Sequence, residues 1–314
     1  MRKLRTVVLI LVGIVLALIA SQIRFDLAVK ELKAKYANAA SKFLSINDAN
    51  VHYRDEGSGP ILVLLHGTGA SLHTWDGWTK ELQADFRVVR MDLPGFGLTG
   101  PDSSHDYSMK HYGDLLAVFL DSLRLDRIHL AGNSLGGRIA WHFALAHPER
   151  LERMVLLDAG GYPTAREPFA LKLARNPLTR ALARWITPRS LIEKSLLEVY
   201  GDDGKVTAEL VQRYYDLTRR AGNRAAFIAG ANTAYDAEFE RLKHLATPTL
   251  IQWGAEDTWI PVADAHRFDA DIPNSELIIY EGAGHVPMEE IPERTARDAK
   301  IFLSVQPRLD RGLY

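Results

Sequence analysis

Between residues 60 and 280, short apolar runs rich in β-branched side chains alternate with longer stretches of helical period. The runs at 60–65, 87–91, 127–131, 153–157, 249–253 and 276–280 have the length of strands and few polar positions inside them. Such runs predict strands buried on both faces, and their alternation with helices predicts a mainly parallel sheet covered by helices on both sides. A shorter run at 50–53 follows the turn-forming pair Asn47-Asp48 and predicts part of an antiparallel hairpin entering that sheet. The alternation stops between Gly160 and Lys243. Here the pattern predicts several helices broken at Pro177 and Pro188, with Leu178, Leu182, Trp185 and Ile186 sharing one helical face. Residues 161–243 thus read as a helical lid inserted into a core made of 44–160 and 244–307. Of the lid aromatics, Phe169, Trp185, Tyr200, Tyr214, Tyr215, Phe227, Tyr235 and Phe239, most are expected to pack the lid onto the body and some to line a cavity.

The N-terminal pattern is different. Met1-Arg2-Lys3-Leu4-Arg5 precedes an uncharged apolar run at 7–20, extendable to Ile23 with only Ser21 and Gln22 polar. Its length lies between a signal-peptide core and the ~20 residues that span a bilayer. A cleavage site after Ala20 would need a small residue where Leu18 stands, so residues 1–24 are expected to be a retained membrane anchor, with a cleaved signal and a secreted enzyme as the alternative. The basic start predicts a cytoplasmic N-terminus and a periplasmic or extracellular bulk, an asymmetry weakened by Arg24, Lys30, Lys33 and Lys35. Residues 25–43 are amphipathic and predict a helical stalk that serves only as a linker.

Composition narrows the chemistry. The chain has 314 residues, 47% of them hydrophobic, enough for one large core. Its 38 basic and 39 acidic residues leave a formal net charge of -1, so no basic field is available to attract nucleic acid. Cysteine is absent, which excludes disulfides, iron-sulfur clusters and thiol catalysis. The histidines are scattered, and His142 and His147 lie five apart without a partnering acidic ligand, so no metal site is expected. Gly95-Phe96-Gly97 is too short for a dinucleotide fingerprint, and no cofactor is expected.

The polar chemistry collects in loops that follow strands, where open α/β sheets place functional groups. Gly132-Asn133-Ser134-Leu135-Gly136 sits between the 127–131 run and a helical stretch, the setting of a nucleophile elbow, in which a serine occupies a strained turn and flanking positions favour glycine. His66-Gly67-Thr68-Gly69-Ala70-Ser71, Gly254-Ala255-Glu256-Asp257 and Gly282-Ala283-Gly284-His285 each follow another predicted strand. The chain order is therefore serine, acid, histidine.

With these motifs, and with Met91-Asp92-Leu93-Pro94-Gly95-Phe96-Gly97 after the 87–91 run, the chain resembles the α/β-hydrolase superfamily from about Lys42 to Pro307. The resemblance implies an α/β fold with a mostly parallel eight-stranded sheet flanked by helices and an inserted helical cap. It implies Ser134 as nucleophile, His285 as the base that takes its proton, and Asp257 as the acid that orients the imidazole. Asp158 is the rival acid, because some members carry theirs after the preceding strand; Glu256 is expected to point elsewhere and Asp92 to hold its own loop. The backbone amides of Leu135, at a helix N-terminus, and Thr68 are the expected oxyanion donors.

A serine at the elbow argues against the relatives that open epoxides or displace halide through an aspartate. Members with a similar Gly-Asn-Ser-x-Gly-Gly elbow include carbon-carbon hydrolases of ring-cleavage products, which usually carry tryptophan after the catalytic histidine. Here Val286-Pro287-Met288-Glu289 follows, closer to esterases and lipase-like members. The leading expectation is a carboxylic-ester hydrolase for a fairly apolar small molecule or lipid, acting through an acyl-enzyme. A carbon-carbon hydrolase is the alternative, and a non-catalytic binding protein on the same fold the second alternative.

Overall fold

The structure, a computed structural model, describes residues 4–7, 9–10, 13–14, 21–163 and 168–305. The apolar run at 7–20 lies largely outside the described residues, and among those described no helix is long and apolar enough to cross a membrane.

Eight strands form one sheet: β1 (Ser41–Ile46), β2 (Ala49–Gly57), β3 (Ile61–Leu65), β4 (Arg87–Met91), β5 (Ile128–Asn133), β6 (Leu151–Leu157), β7 (Thr249–Gly254) and β8 (Ser275–Tyr280). Their order is β1-β2-β4-β3-β5-β6-β7-β8. β1 pairs antiparallel with β2, and β2 with β4; every pair from β4 to β8 is parallel. The six apolar runs are therefore strands. Among the described residues from 21 onward the helices are α1 (Val29–Tyr36), α2 (Asp76–Leu82), α3 (Met109–Ser122), α4 (Leu135–Ala146), α5 (Phe169–Arg175), α6 (Pro177–Ala183), α7 (Arg189–Val199), α8 (Ala208–Thr218), α9 (Asn223–Ala231), α10 (Val262–Asp271), α11 (Pro287–Glu290) and α12 (Pro292–Leu303).

The two faces of the sheet bury two cores, and β3 shows why. Leu62 and Leu64 point to one side, with Trp75, Trp78 and Phe302; Val63 and Leu65 point to the other, with Phe119, Trp141 and Phe268. All four strand side chains are fully buried, each worth about 1.5–3 kcal/mol in removed apolar surface. Trp78 keeps its one polar atom satisfied, its Nε1 donating to Thr295 Oγ1 at 2.8 Å.

The lid, α5 to α9 and the 3-10 turn Glu238–His244, is inserted between β6 and β7. Pro177 opens α6, and Pro188 caps α7. Tyr200 and Tyr215 are buried, Phe239 packs on Tyr162, and Phe227 and Tyr235 line a cavity. Phe169 and Trp185 face outward instead, as do Leu178 and Leu182. A latch ties the lid to the core just past His285: Glu289 accepts from Tyr214 at 2.7 Å, Thr74 at 2.9 Å and Arg213, while Glu290 accepts from the amides of Gly201, Asp202 and Gly284.

The stalk departs from expectation in two ways. Its helix is limited to α1, because the chain is already β-strand from Ser41. Nor is it a free linker. Leu32 is buried with Leu98 and Leu217, Lys35 pairs with Asp216 at 2.7 Å and Arg224 with Asp26 at 2.6 Å. Backbone hydrogen bonds from Leu27 to Arg219 and from Ala221 to Leu27 complete a docking onto the lid. The apolar face of an amphipathic segment found a partner.

Candidate active site

β5 ends at Asn133 and α4 starts at Leu135, so Ser134 alone makes the turn, at φ 53° and ψ -113°. A positive φ is costly for a residue with a Cβ and persists only when its surroundings enforce it. Here the Ser134 amide donates to Leu157 O and the Gly160 amide to Ser134 O, both at 3.0 Å, which clamps the turn to the end of β6. The flanking glycines answer to contact. A Cβ on Gly132 would lie 2.3 Å from the Gly136 backbone, and one on Gly136 would lie 2.2 Å from Leu65 O.

Asp257 and His285 come from the loops after β7 and β8, and their side chains meet: Nδ1 of His285 lies 2.7 Å from Oδ2 of Asp257, both groups buried. The other carboxylate oxygen accepts from the amides of Trp259 at 2.7 Å and Ile260 at 2.9 Å. An ionised acceptor there requires the proton on Nδ1, which leaves Nε2 free to act as a base. Asn133 Nδ2 donates to His285 O at 2.9 Å, so the residue before the serine is fastened to the backbone of the histidine. Among the described residues the Ser134 hydroxyl makes no hydrogen bond, an arrangement common before substrate arrives.

Asp158 stands beside this pair. It is fully buried, also at positive φ (44°), and one of its oxygens, Oδ1, accepts from the Gly254 amide at 2.9 Å. One ligating atom from each of Asp158, Asp257 and His285 lies within 4.8 Å of the others. Burial, and then the charge of Asp257, push the Asp158 carboxyl well above the ordinary carboxylate range, which favours its neutral form. Its Oδ2 is buried without a hydrogen-bond partner, close to the carboxylate of Asp257. Glu256, as expected, turns to solvent.

Thr68 and Leu135 line a cavity of about 200 Å³ together with Phe96, Tyr107, Phe227 and Arg138. The Leu135 amide opens α4 and has no intrahelical acceptor. The loop carrying Thr68 is fixed by His66, whose Nδ1 donates to Gly67 O at 2.8 Å while Nε2 accepts from the Leu93 amide at 2.9 Å. Burial lowers the pKa of that ring, consistent with this neutral tautomer. A larger hollow of about 390 Å³, lined by Lys110, His142 and Arg241 among others, touches none of these groups.

Asp92 has the supporting place expected of it, and more. It accepts from the Leu72 and Leu98 amides, each at 2.7 Å, and from His52 Nδ1 at 2.7 Å, and His52 Nε2 meets Ser41 Oγ at 2.9 Å. Burial pushes the Asp92 carboxyl up, but His52 more than offsets this and holds it below the usual carboxylate range. The sequence pattern, which places Ser41 in the stalk, gives no sign of this second Ser-His-Asp chain. Its His52 and Asp92 are fully buried, Ser41 Oγ also accepts from Arg54 Nε, and the chain serves to pin β1 and β2 to the loop after β4.

A model of the alpha/beta hydrolase fold family matches residues 60–292, and the chain belongs to that family. It is 32% identical, over 85% of its length and 96% of the relative's, to a 2-hydroxy-6-oxononadienedioate/2-hydroxy-6-oxononatrienedioate hydrolase of Burkholderia vietnamiensis. Among solved structures it is similar to a membrane phospholipase A described as a bacterial virulence factor (TM-score 0.73, 26% identity, 96% of this chain and 98% of that one). It is also similar to a thermophilic esterase from Thermogutta terrifontis (TM-score 0.72, 26% identity, 84% and 98%). The protein is a hydrolase by family.

Proposed function

We propose that the protein hydrolyses a carboxylic ester of an apolar small molecule or lipid through an acyl-enzyme on Ser134. The observation that carries this reading is the strained serine turn, fastened through Asn133 to a buried His285–Asp257 pair, beside a cavity whose wall sets Phe96, Leu135, Leu171 and Phe227 with Arg138 and Asp236. His285 Nε2 takes the serine proton during attack and returns it to the leaving alcohol, while Asp257 holds the ring and stabilises its charged form. The amides of Thr68 and Leu135 stabilise the oxyanion, and water then repeats the sequence to release the acid.

A carbon-carbon hydrolase is the second reading, favoured by the activity named for the Burkholderia relative and by Arg138, a cation on the cavity wall suited to a substrate carboxylate. Against it, Arg138 is already paired with Asp236, and Val286 follows His285. Labelling by a fluorophosphonate probe, followed by turnover of aryl esters of graded chain length beside a ring-cleavage dienone, separates the readings. Preference for the dienone would overturn the ester assignment, and no labelling at Ser134 would favour a binding protein.

We further propose that residues 1–24 hold the enzyme at a membrane, with the catalytic domain on the periplasmic or extracellular side. Resistance of the full chain to alkaline extraction tests the anchor, and the mass of the mature protein distinguishes it from a cleaved signal.

A further inference from the structure

The lid carries an apolar stripe that its own fold leaves in water. Leu178 is 84% exposed, Leu182 50% and Trp185 47%, at the i, i+4 and i+7 spacing that puts them on one side of α6 and its continuation. Exposed leucines at this spacing mark a surface made to be covered. Two independent observations identify the cover. First, the charge is one-sided: residues 168–190 contain Lys172, Arg175, Arg180, Arg184 and Arg189, and neither Asp nor Glu. Arg180 and Arg184 are exposed beside the stripe. Second, the chain arriving from the apolar N-terminal run meets this place. The Arg24 amide donates to Trp185 O at 2.9 Å, and Ile23 and Phe25, on either side of Arg24, are themselves exposed.

We propose that α6 and its continuation to Ile186 lie on an anionic lipid surface, a reading that rests on the anchor proposed above. Leu178, Leu182 and Trp185 enter the boundary between headgroups and acyl chains, and Arg180 and Arg184 meet lipid phosphates. Amphipathic basic helices with a tryptophan bind membranes in this way. An anchor that ends at residue 23 brings Trp185 to the bilayer, so a water-facing stripe would be the harder arrangement to explain. The contact reaches the active site through α5, which packs on α6 and gives Leu171 to the cavity wall. An apolar ester dissolved in the membrane would then enter from below, without crossing water.

The test uses the full chain in phosphatidylcholine–phosphatidylglycerol vesicles whose acyl chains carry bromine near the headgroup. Trp185 emission is taken as the difference between the chain and its Trp185→Phe variant. The expected result is strong quenching of that difference signal, largely lost in Leu178→Glu/Leu182→Glu, with turnover of a short soluble aryl ester unchanged and turnover of a bilayer-dissolved ester reduced about tenfold. A vesicle-bound chain whose Trp185 signal is unquenched overturns the docking alone. A chain that stays out of the vesicles overturns the anchor, and the docking with it. If the double variant also lost soluble-ester turnover, the quenching in the otherwise native chain would still decide.

Discussion

Ser134, Asp257 and His285 act as one unit in the proposed reaction, so their losses should not add. Ser134→Ala and His285→Ala are each expected to lower kcat by about 10⁶, and the double variant by little more, in single-turnover and steady-state assays. Asp257→Asn should cost about 10⁴ in kcat, the penalty of presenting the wrong tautomer, while Asp158→Asn keeps most of the activity. Asp158 has a different signature. Its folded-state pKa is raised by burial and by Asp257, so above the unfolded value near pH 4 the native state holds a proton that the unfolded chain has released, and stability falls as pH rises. Asparagine at 158 keeps an oxygen that can accept from the Gly254 amide and has no proton to retain. The thermal midpoint of Asp158→Asn is therefore expected to exceed that of the native protein at pH 8, and the gap to close towards pH 4. An equal gap at both pH values would mean that Asp158 is ionised in the fold. The strained turn at Ser134 and the place of His285 in the loop after β8 were legible in the chain, because glycine spacing and strand position are local signals. The raised pKa of Asp158 was not, since it depends on two loops separated by the whole lid.

At the scale of elements, the six parallel strands were legible because a strand buried on both faces writes itself as an unbroken apolar run. β1 was not. It lies at the sheet edge with a mixed face, and Ser41 to Ile46 carry only the signal that Ala49 to Gly57 supply as a partner. The lid latch was equally silent, because Glu289 and Glu290 look in sequence like two surface acids. Glu289→Ala would leave Arg213 and the Tyr214 hydroxyl without their acceptor, and leaving such partly buried groups unsatisfied costs about 1–3 kcal/mol. The expected outcome is a lid that opens more often, seen as faster hydrogen exchange across α8, with exchange in β3 to β6 unchanged. Uniformly faster exchange would mean that Glu289 stabilises the whole domain rather than the latch.

For the whole molecule, the docked stalk changes where the chain can be cut. A chain starting at Ser21 keeps Arg24, Asp26 and Leu32 in place and is expected to be soluble and fully active on soluble esters. A chain starting at Ser41 loses the buried Leu32 contact and the Lys35–Asp216 pair, and should unfold at a denaturant midpoint lowered by the equivalent of about 2–5 kcal/mol. Equal midpoints for the two chains would show the stalk to be a passive tether. The insertion of the lid has a consequence of another kind, in time. β6 pairs with β7 from Met154↔Thr249 onward, so β6 leaves the ribosome with an open edge, apolar from Met154 to Leu157, and waits while residues 158–248 are made. At the usual ~5–20 residues per second that interval is roughly 5–20 s, long enough for two nascent chains to join by their edges. The step of biogenesis most exposed to aggregation is therefore the synthesis of the lid, and a chaperone that covers Leu151–Leu157 during that pause would raise yield without touching the finished enzyme.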